Sequence, residues 1–185
     1  METYVNTSEL EEGVSFIKAS PRDVGTIDLI VRRPSIGERE ELQQGELDLK
    51  SGLIGDNWLA RGYRKTADGN AHPDMQLTIM NSRAIALIAK KKSRWQLAGD
   101  QLFVDFNLSD ENIPPGSLLL VGDAMIEVTA EPHLGCKKFS DRFGRDAVLF
   151  VNSEIGRSLN LRGINAKVVE PGKVKIGAKI NRLST

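Results

Sequence analysis

Short runs in which hydrophobic and polar residues alternate recur along the chain. Residues 24–33 (VGTIDLIVRR), 75–81 (MQLTIMN) and 101–107 (QLFVDFN) are rich in β-branched and aromatic side chains, and the run at 117–130 (SLLLVGDAMIEVTA) is divided by Gly122-Asp123. A period of two is typical of a strand with one buried face, and a Gly-Asp pair is typical of a tight hairpin turn. These runs therefore predict strands, the last two of them joined directly.

Three further segments predict strands with weaker patterns. Residues 12–18 and 45–50 (GELDLK) carry short apolar runs, and we expect one strand in each. Residues 164–180 (INAKVVEPGKVKIGAKI) contain two alternating runs on either side of Pro171-Gly172. A Pro-Gly pair is strong turn chemistry, so this segment predicts a closing β-hairpin.

Helical spacing of apolar residues occurs in two segments. It appears at 83–92 (RAIALIAKKK), where Ser82 is placed to cap the first turn, and again at 146–160. Residues 52–74 show neither period and are rich in Gly, Asp and Asn, which predicts a long loop. Long loops inside a compact domain are usually functional or disordered. Because this loop also carries apolar anchors, we expect it to border a functional cleft, together with the segment around residue 136.

Predicted strands outnumber predicted helices, and most consecutive strands are joined by tight turns. The pattern indicates a mainly β fold, an antiparallel β-barrel with a few short helices at its ends. A chain of 185 residues is long enough for one substantial core and short for two. We therefore predict a single domain over residues 1–185 with its core over about residues 10–182.

Charge and hydrophobicity exclude some classes of partner. Lys and Arg total 25, as do Asp and Glu, whereas a nucleic-acid-binding surface needs an excess of cations. No segment approaches the roughly 20 apolar residues of a membrane helix, and the acidic first 16 residues do not resemble a signal peptide. We expect a cytoplasmic protein that binds neither nucleic acid nor membrane.

The segment PHLGCKKF, residues 132–139, contains the only cysteine and one of the two histidines. A helix beginning at KKFSDRF would place Cys136 at its N-terminus near Lys137, where the dipole and cations stabilise a thiolate. His133, three residues earlier, is a candidate to activate the thiol. Each residue also has a structural interpretation, since free cysteines are often buried and inert, and single histidines are often simply packed.

Other candidate ligand-binding residues lie in the long loop and near the C-terminus. Asp56 and Asn57 follow a glycine, Arg61 comes four residues later, and Arg162 precedes Gly163 at the start of a predicted strand. Arginines bind phosphate bidentately, and Asp and Asn offer oxygen ligands. Ordinary turn chemistry explains the Asp-Asn pair equally well, and the arginines could be solvated.

Taken in order, four segments of the chain resemble the MOSC domain, named for the C-terminal domain of molybdenum cofactor sulfurases. They are GLIGD, then MQLTIMNSRAIALIA, then the stretch from GDQLFVDFN to EVTAEPHLGCKKFSDRFGRDA, then LRGINAKVVEPGKVKIG. The resemblance implies a β-barrel related to the pyruvate kinase barrel. It also maps the family's cysteine to Cys136, its loop acid to Asp56 and its late arginine to Arg162. Gly135 stands where the family often has proline.

The resemblance further implies an association with molybdenum cofactor (molybdopterin). Cys136 would be a sulfur (persulfide) carrier or the molybdenum ligand, in a protein that would act as a sulfur transferase or reduce N-hydroxylated compounds. His133 and Lys137 would adjust the reactivity of this thiol. The residues expected to hold the cofactor or a substrate are Asp56, Asn57, Arg61, Lys137 and Arg162.

Two other functions remain open from the sequence. A non-catalytic module could deliver the cofactor or dock on a pyridoxal-phosphate cysteine desulfurase, and a redox protein is the other candidate partner. A purely structural barrel with an inert cysteine is the third hypothesis.

Overall fold

The computed structural model describes residues 4–183. The strands in this range are β1 (Val24–Arg32), β2 (Glu40–Leu42), β3 (Gln44–Asp48), β4 (Gly52–Leu53), β5 (Leu77–Asn81), β6 (Leu102–Asp105), β7 (Leu118–Val121), β8 (Ala124–Val128), β9 (Ile164–Glu170), β10 (Gly172–Lys175) and β11 (Lys179–Arg182). The α-helices are α1 (Thr7–Glu12), α2 (Val14–Lys18), α3 (Trp58–Arg61), α4 (Ser82–Ala89), α5 (Lys137–Phe143), α6 (Arg145–Asn152) and α7 (Glu154–Ser158). Pro73–Met75 and Lys92–Ala98 form 3-10 helices.

Seven of the strands within residues 4–183 close into a barrel, in the order β11-β7-β8-β9-β5-β6-β1 and back to β11. The long strand β1 closes the ring, because its first residues pair with β11 while its last residues pair with β2 outside the ring. The ring is antiparallel except for β5 and β6, which run parallel and are joined through α4. The prediction of a mainly β barrel with short helices is confirmed.

Alternating side chains divide the hydrophobic residues between two cores. On β6, Leu102 and Val104 belong to the cluster that fills the barrel, while Phe103 between them packs outward with the helices. The outer cluster includes Ile85 of α4 and Phe139 of α5. The period of two along the strand therefore places one face in each core, which fixes the pairing register.

One strand prediction and one hairpin prediction are wrong. Residues 14–18 form the helix α2, which follows α1, and the spacing of Leu10, Val14 and Ile17 fits a single helical face. The predicted hairpin at Pro171-Gly172 does not form either. Strand β9 is already paired with β8 on one side and β5 on the other, so β10 joins β3 in a separate three-stranded sheet with β4.

The predicted helices are present with shifted boundaries. The side chain of Asn81, not that of Ser82, accepts from the backbone N–H groups of Arg83 and Ala84 and caps α4. The helical pattern at 146–160 divides at Ser153 into α6 and α7. The segment predicted as one long loop contains β4 and α3. Within residues 4–183, no helix is both long enough and apolar enough to cross a membrane.

Candidate functional site

A cleft of about 620 Å³ opens at one end of the barrel. Its walls come from the segment after β1, the region of α3, the turn before β6, the start of α5 and the start of β9. Asn57 and Arg61 from the long loop line it, as do Cys136 and His133. The structure therefore brings the long loop and the cysteine segment to one cleft, as we expected from the sequence.

Cys136 is the N-cap residue of α5, and its thiol is free and exposed. Its backbone carbonyl accepts from the N–H groups of Phe139 and Ser140, so the first turn of α5 fixes the residue in place. The thiol is thus held at a defined position on the cleft wall, where an external reagent reaches it.

Asn152 holds the residue before the cysteine. Its side-chain oxygen accepts from Gly135 N at 2.8 Å, and its side-chain nitrogen donates to Gly135 O at 2.9 Å. A Cβ at residue 135 would lie 2.8 Å from a methyl of Val151 and 2.9 Å from a methyl of Val148. This close approach requires glycine at residue 135, and the two hydrogen bonds tie the segment carrying Cys136 to α6.

Asp56 lies beneath the cleft and not in its wall. Its fully buried carboxylate accepts from Arg33 N at 3.0 Å, Arg33 Nε at 2.8 Å, Arg33 Nη2 at 2.8 Å and Trp58 N at 2.9 Å. These bonds orient the Arg33 guanidinium, which lines the cleft. Asp56 thereby supports a cleft residue, and its predicted role as a ligand-binding residue stays a prediction.

A second buried ion pair, between Arg162 and Asp100, contributes Arg162 to the cleft lining. Arg162 donates from Nη1 to Asp100 Oδ2 at 2.7 Å and from Nη2 to Ala98 O at 3.0 Å, and its guanidinium lies 4.9 Å from the centre of the Phe139 ring. Asp100 is fully buried and Arg162 nearly so. Arg162 is therefore rigidly placed, with its Nε still lacking a partner in the described structure.

His133 faces the same ion pair. Its Nδ1 lies 3.5 Å from Asp100 Oδ1, and neither atom has a hydrogen-bond partner among the described residues. Burial, together with the Arg162 and Arg33 charges, holds the pKa of His133 well below its usual value, so the imidazole is neutral. Burial also raises the pKa of Asp100, although Arg162 opposes that shift.

Three more arginines complete the cationic character of the cleft: Arg39, Arg61 and Arg142. Desolvation, followed by the charges of Arg142 and Arg33, lowers the pKa of Arg39. Desolvation and the charge of Arg33 lower the pKa of Arg61 in the same way. Guanidinium groups that repel one another across a cleft favour the binding of an anion there.

The two lysines after the cysteine point to different places. Lys137 is 87% exposed and forms an ion pair with Asp141 on its own helix, at 2.9 Å, outside the cleft lining. Lys138 lines the cleft. The prediction that Lys137 binds cofactor is thus not supported by its position, because the first turn of α5 directs the next residue inward. Asn57 lines the cleft, and its buried Oδ1 has no hydrogen-bond partner within residues 4–183.

A smaller cleft of about 400 Å³ lies on the other side of a shared wall. The wall consists of His133, Arg162 and Asn165, which line both clefts. Asn165 is fully buried, and its Oδ1 has no partner in residues 4–183. Unpaired buried atoms concentrate here, so this wall has capacity for further hydrogen bonds.

Sequence reasoning did not select three residues that line the cleft, Arg33, Arg39 and Asn165, or Asp100, the partner of Arg162. Most of them lie just outside strands. One available signal was the unusual pair Arg32-Arg33 before Pro34, which ends β1 with two cations. The described residues contain no group of three or more His, Cys, Asp or Glu side chains able to hold a metal ion.

The barrel and its helices are similar to several solved structures. The YUAD protein from Bacillus subtilis is 16% identical with a TM-score of 0.60, over 88% of this chain and 97% of that chain. YiiM from Escherichia coli is 20% identical with a TM-score of 0.51, over 86% and 70%. YiiM from Geobacillus stearothermophilus is 11% identical with a TM-score of 0.53, over 89% and 75%. At these identities the likeness concerns the fold. No protein-family model matches the sequence, and no curated protein matches it.

Proposed function

We propose that this chain is a MOSC-type protein associated with molybdenum cofactor, with Cys136 as the metal ligand. The observation that carries the proposal is the placement of one exposed thiol on the wall of a cleft lined by five arginines in the described structure. The order of the MOSC-like sequence segments and the fold shared with YuaD and YiiM are compatible with it.

The donor groups fit a metal that arrives with its own organic ligand. A single soft thiolate suits a thiophilic metal, but one protein ligand does not hold a free ion. In the described residues no other metal-ligating side chains cluster. Arg33, Arg39 and Arg61 would hold the anionic part of the cofactor through charge-assisted hydrogen bonds. When bound, the cofactor would supply two-electron chemistry for reducing N-hydroxylated compounds.

The chain's own residues would bind and orient such a ligand. Arg33 and Arg162 are fixed by buried carboxylates, so they present guanidinium groups without losing side-chain freedom at the moment of binding. His133 is neutral and presents a hydrogen-bonding ring without adding charge. Lys138 and Arg61, both exposed at the cleft, attract anions from solution.

A sulfur carrier is a second candidate function, and the exposure of Cys136 favours it. In that reaction the Cys136 thiolate attacks the outer sulfur of a donor persulfide. The donor's S–S bond breaks, a Cys136 persulfide forms, and the donor leaves as a thiolate. A cysteine desulfurase is the proposed donor, whereas a reductase would require a redox partner. A module that only delivers the cofactor would bind it without turnover.

Metal and pterin analysis tests the proposal. Protein purified from a host that makes the cofactor should contain molybdenum and pterin in comparable amounts. Cys136→Ser should lose most of the molybdenum while keeping its melting temperature, and Lys138→Gln should bind less pterin. Lys175→Gln is the matched control, since it removes the same charge at an exposed position outside the cleft lining. Cofactor-free protein, or equal losses in both lysine variants, would contradict the proposal, and turnover of an N-hydroxylated substrate separates a reductase from a delivery module.

A further inference from the structure

Three of the arginines in the cleft have no acidic partner. Arg39, Arg61 and Arg142 form no ion pair with any carboxylate in residues 4–183, although Arg39 and Arg142 each donate to a backbone carbonyl. By contrast, Arg33 and Arg162 are already neutralised by buried aspartates. The uncompensated positive charge of the cleft therefore belongs to a specific set of three side chains, which we call the open arginines.

Two of the open arginines, Arg39 and Arg142, and also Arg33 lie around the turn at Gly99. Arg33 Nη1 donates to Gly99 O at 2.9 Å. A Cβ built on Gly99 would lie 3.4 Å from Arg39 Nη2 and 3.8 Å from Arg142 Nη1. Two guanidiniums thus approach the same backbone point, where Gly99 has a φ of 90° that favours glycine. Arg39 Nε is also buried without a hydrogen-bond partner in the described chain.

Nearby acids do not relieve this charge. Asp141 lies on the cleft wall, but its carboxylate already accepts both bonds from Lys137 Nζ, at 2.9 and 3.0 Å. Lys138 adds a further cation to the same wall. A single phosphate monoester carries about −1.5 to −2 charges at neutral pH, so it would not neutralise the three open arginines and Lys138 together.

We propose that the open arginines bind a diphosphate group, so that the ligand of this cleft carries two linked phosphates and not one. The claim that the cofactor carries this diphosphate rests on the proposed function. The claim that the cleft binds a diphosphate rests on the arginines alone. Free pyrophosphate and a nucleoside diphosphate both carry such a diphosphate group. Bidentate arginine contacts to neighbouring phosphate oxygens give both charge and geometric selection.

Calorimetric titration of the metal-free full chain with pyrophosphate and orthophosphate, at one fixed ionic strength, tests the proposal. We expect pyrophosphate to bind at least about tenfold more tightly than orthophosphate. Arg39→Gln and Arg142→Gln should each remove most of this preference. Arg22→Gln is the matched control, because Arg22 pairs with Glu111 on the surface and is not part of the cleft lining.

Further titrations identify which molecule supplies the diphosphate group, and a Cys136 variant separates the diphosphate proposal from the proposed molybdenum cofactor function. GDP or CDP binding more tightly than pyrophosphate assigns a nucleotide ligand, and equal binding assigns the diphosphate alone. Cys136→Ser should lower molybdenum content without changing pyrophosphate affinity, so either proposal can fail by itself. Equal affinity for both phosphates, no binding of either, or an equal loss in Arg22→Gln would overturn the diphosphate site.

Discussion

Replacing Asp56 with alanine tests whether this residue supports the fold or serves mainly as a ligand. Its carboxylate is fully buried and accepts five hydrogen bonds: three from Arg33, one from the backbone of Trp58 and a longer one, at 3.5 Å, from Gln101 Nε2. The Arg33 side chain is only 9% exposed, so its charge has little access to water. In the variant Gly99 O would remain as an acceptor, but no carboxylate would face the guanidinium.

The expected loss is large. Removing one partner of a buried ion pair typically costs about 3–5 kcal/mol, because an uncompensated charge stays in the interior. For a chain of this size, each kcal/mol shifts the melting temperature by about 2–4 °C. Asp56→Ala should therefore melt roughly 6–20 °C lower than the parent protein. A residue acting only as a ligand would leave the melting temperature of the ligand-free protein nearly unchanged.

Two further variants sharpen the measurement. The double variant Asp56→Leu with Arg33→Met removes both charges and should recover most of the stability, since apolar replacements of buried ion pairs are often neutral or stabilising. Asp23→Ala breaks an exposed ion pair with Arg182 and should cost at most about 1 kcal/mol. Thermal and urea unfolding of all four proteins decide the matter. If Asp56→Ala unfolds like Asp23→Ala, the structural role assigned to Asp56 is wrong.

Three other predictions concern the segment around the thiol. Cys136→Ser should leave the melting temperature nearly unchanged, and iodoacetamide should label native Cys136, because the thiol is exposed; labelling only after unfolding would contradict this. Gly135→Ala should lower the free energy of unfolding by about 1–3 kcal/mol, because the new methyl group overpacks against Val148 and Val151. Asn152→Ala should change the alkylation rate of native Cys136, because it removes both hydrogen bonds to Gly135. Asn112→Ala, which removes two comparable hydrogen bonds elsewhere, should leave that rate unchanged. Because the pKa of His133 is lowered in the folded protein, the unfolded chain takes up a proton at His133 at a higher pH than the folded chain does. The free energy of unfolding should therefore fall by up to about 1.4 kcal/mol per pH unit as the pH drops below about 6.5. Urea unfolding at several pH values measures this slope, and His133→Gln should make it shallower.

Local patterns predicted most of the strands in the barrel. The alternation at 118–128 and the Gly122-Asp123 turn gave the hairpin of β7 and β8, because both signals act within a few residues. The helix after Cys136 was predictable for the same reason. The failed hairpin at Pro171-Gly172 shows the limit of such reasoning. Its turn chemistry is favourable, but pairing also requires a free strand edge, and the ring had already occupied both edges of β9.

The candidate site was predictable only in part. Cys136, Asn57, Arg61 and Arg162 could be selected by residue type, and all four line the cleft. Selecting between Lys137 and Lys138 required the direction of each side chain on α5, which a helix pattern of seven residues does not fix. Asp56 was selected because its carboxylate could bind a ligand, but in the structure that carboxylate is buried and paired with Arg33. Residue type alone does not distinguish a buried, paired carboxylate from one that is free to bind a ligand.

The arrangement of the cleft depends on the parallel pair that the tight-turn pattern did not predict. Strand β6 runs antiparallel to β1, so the turn at Gly99 before β6 lies beside Arg33, which follows β1. Because β5 runs parallel to β6, the start of β5 lies at this same end, and Thr78 N donates to the Gln101 side chain there at 2.8 Å. A tight β5–β6 hairpin would have placed the start of β5, and the long loop leading into it, at the opposite end. The helical crossover through α4 is thus what brings Asn57 and Arg61 to the arginines and the thiol.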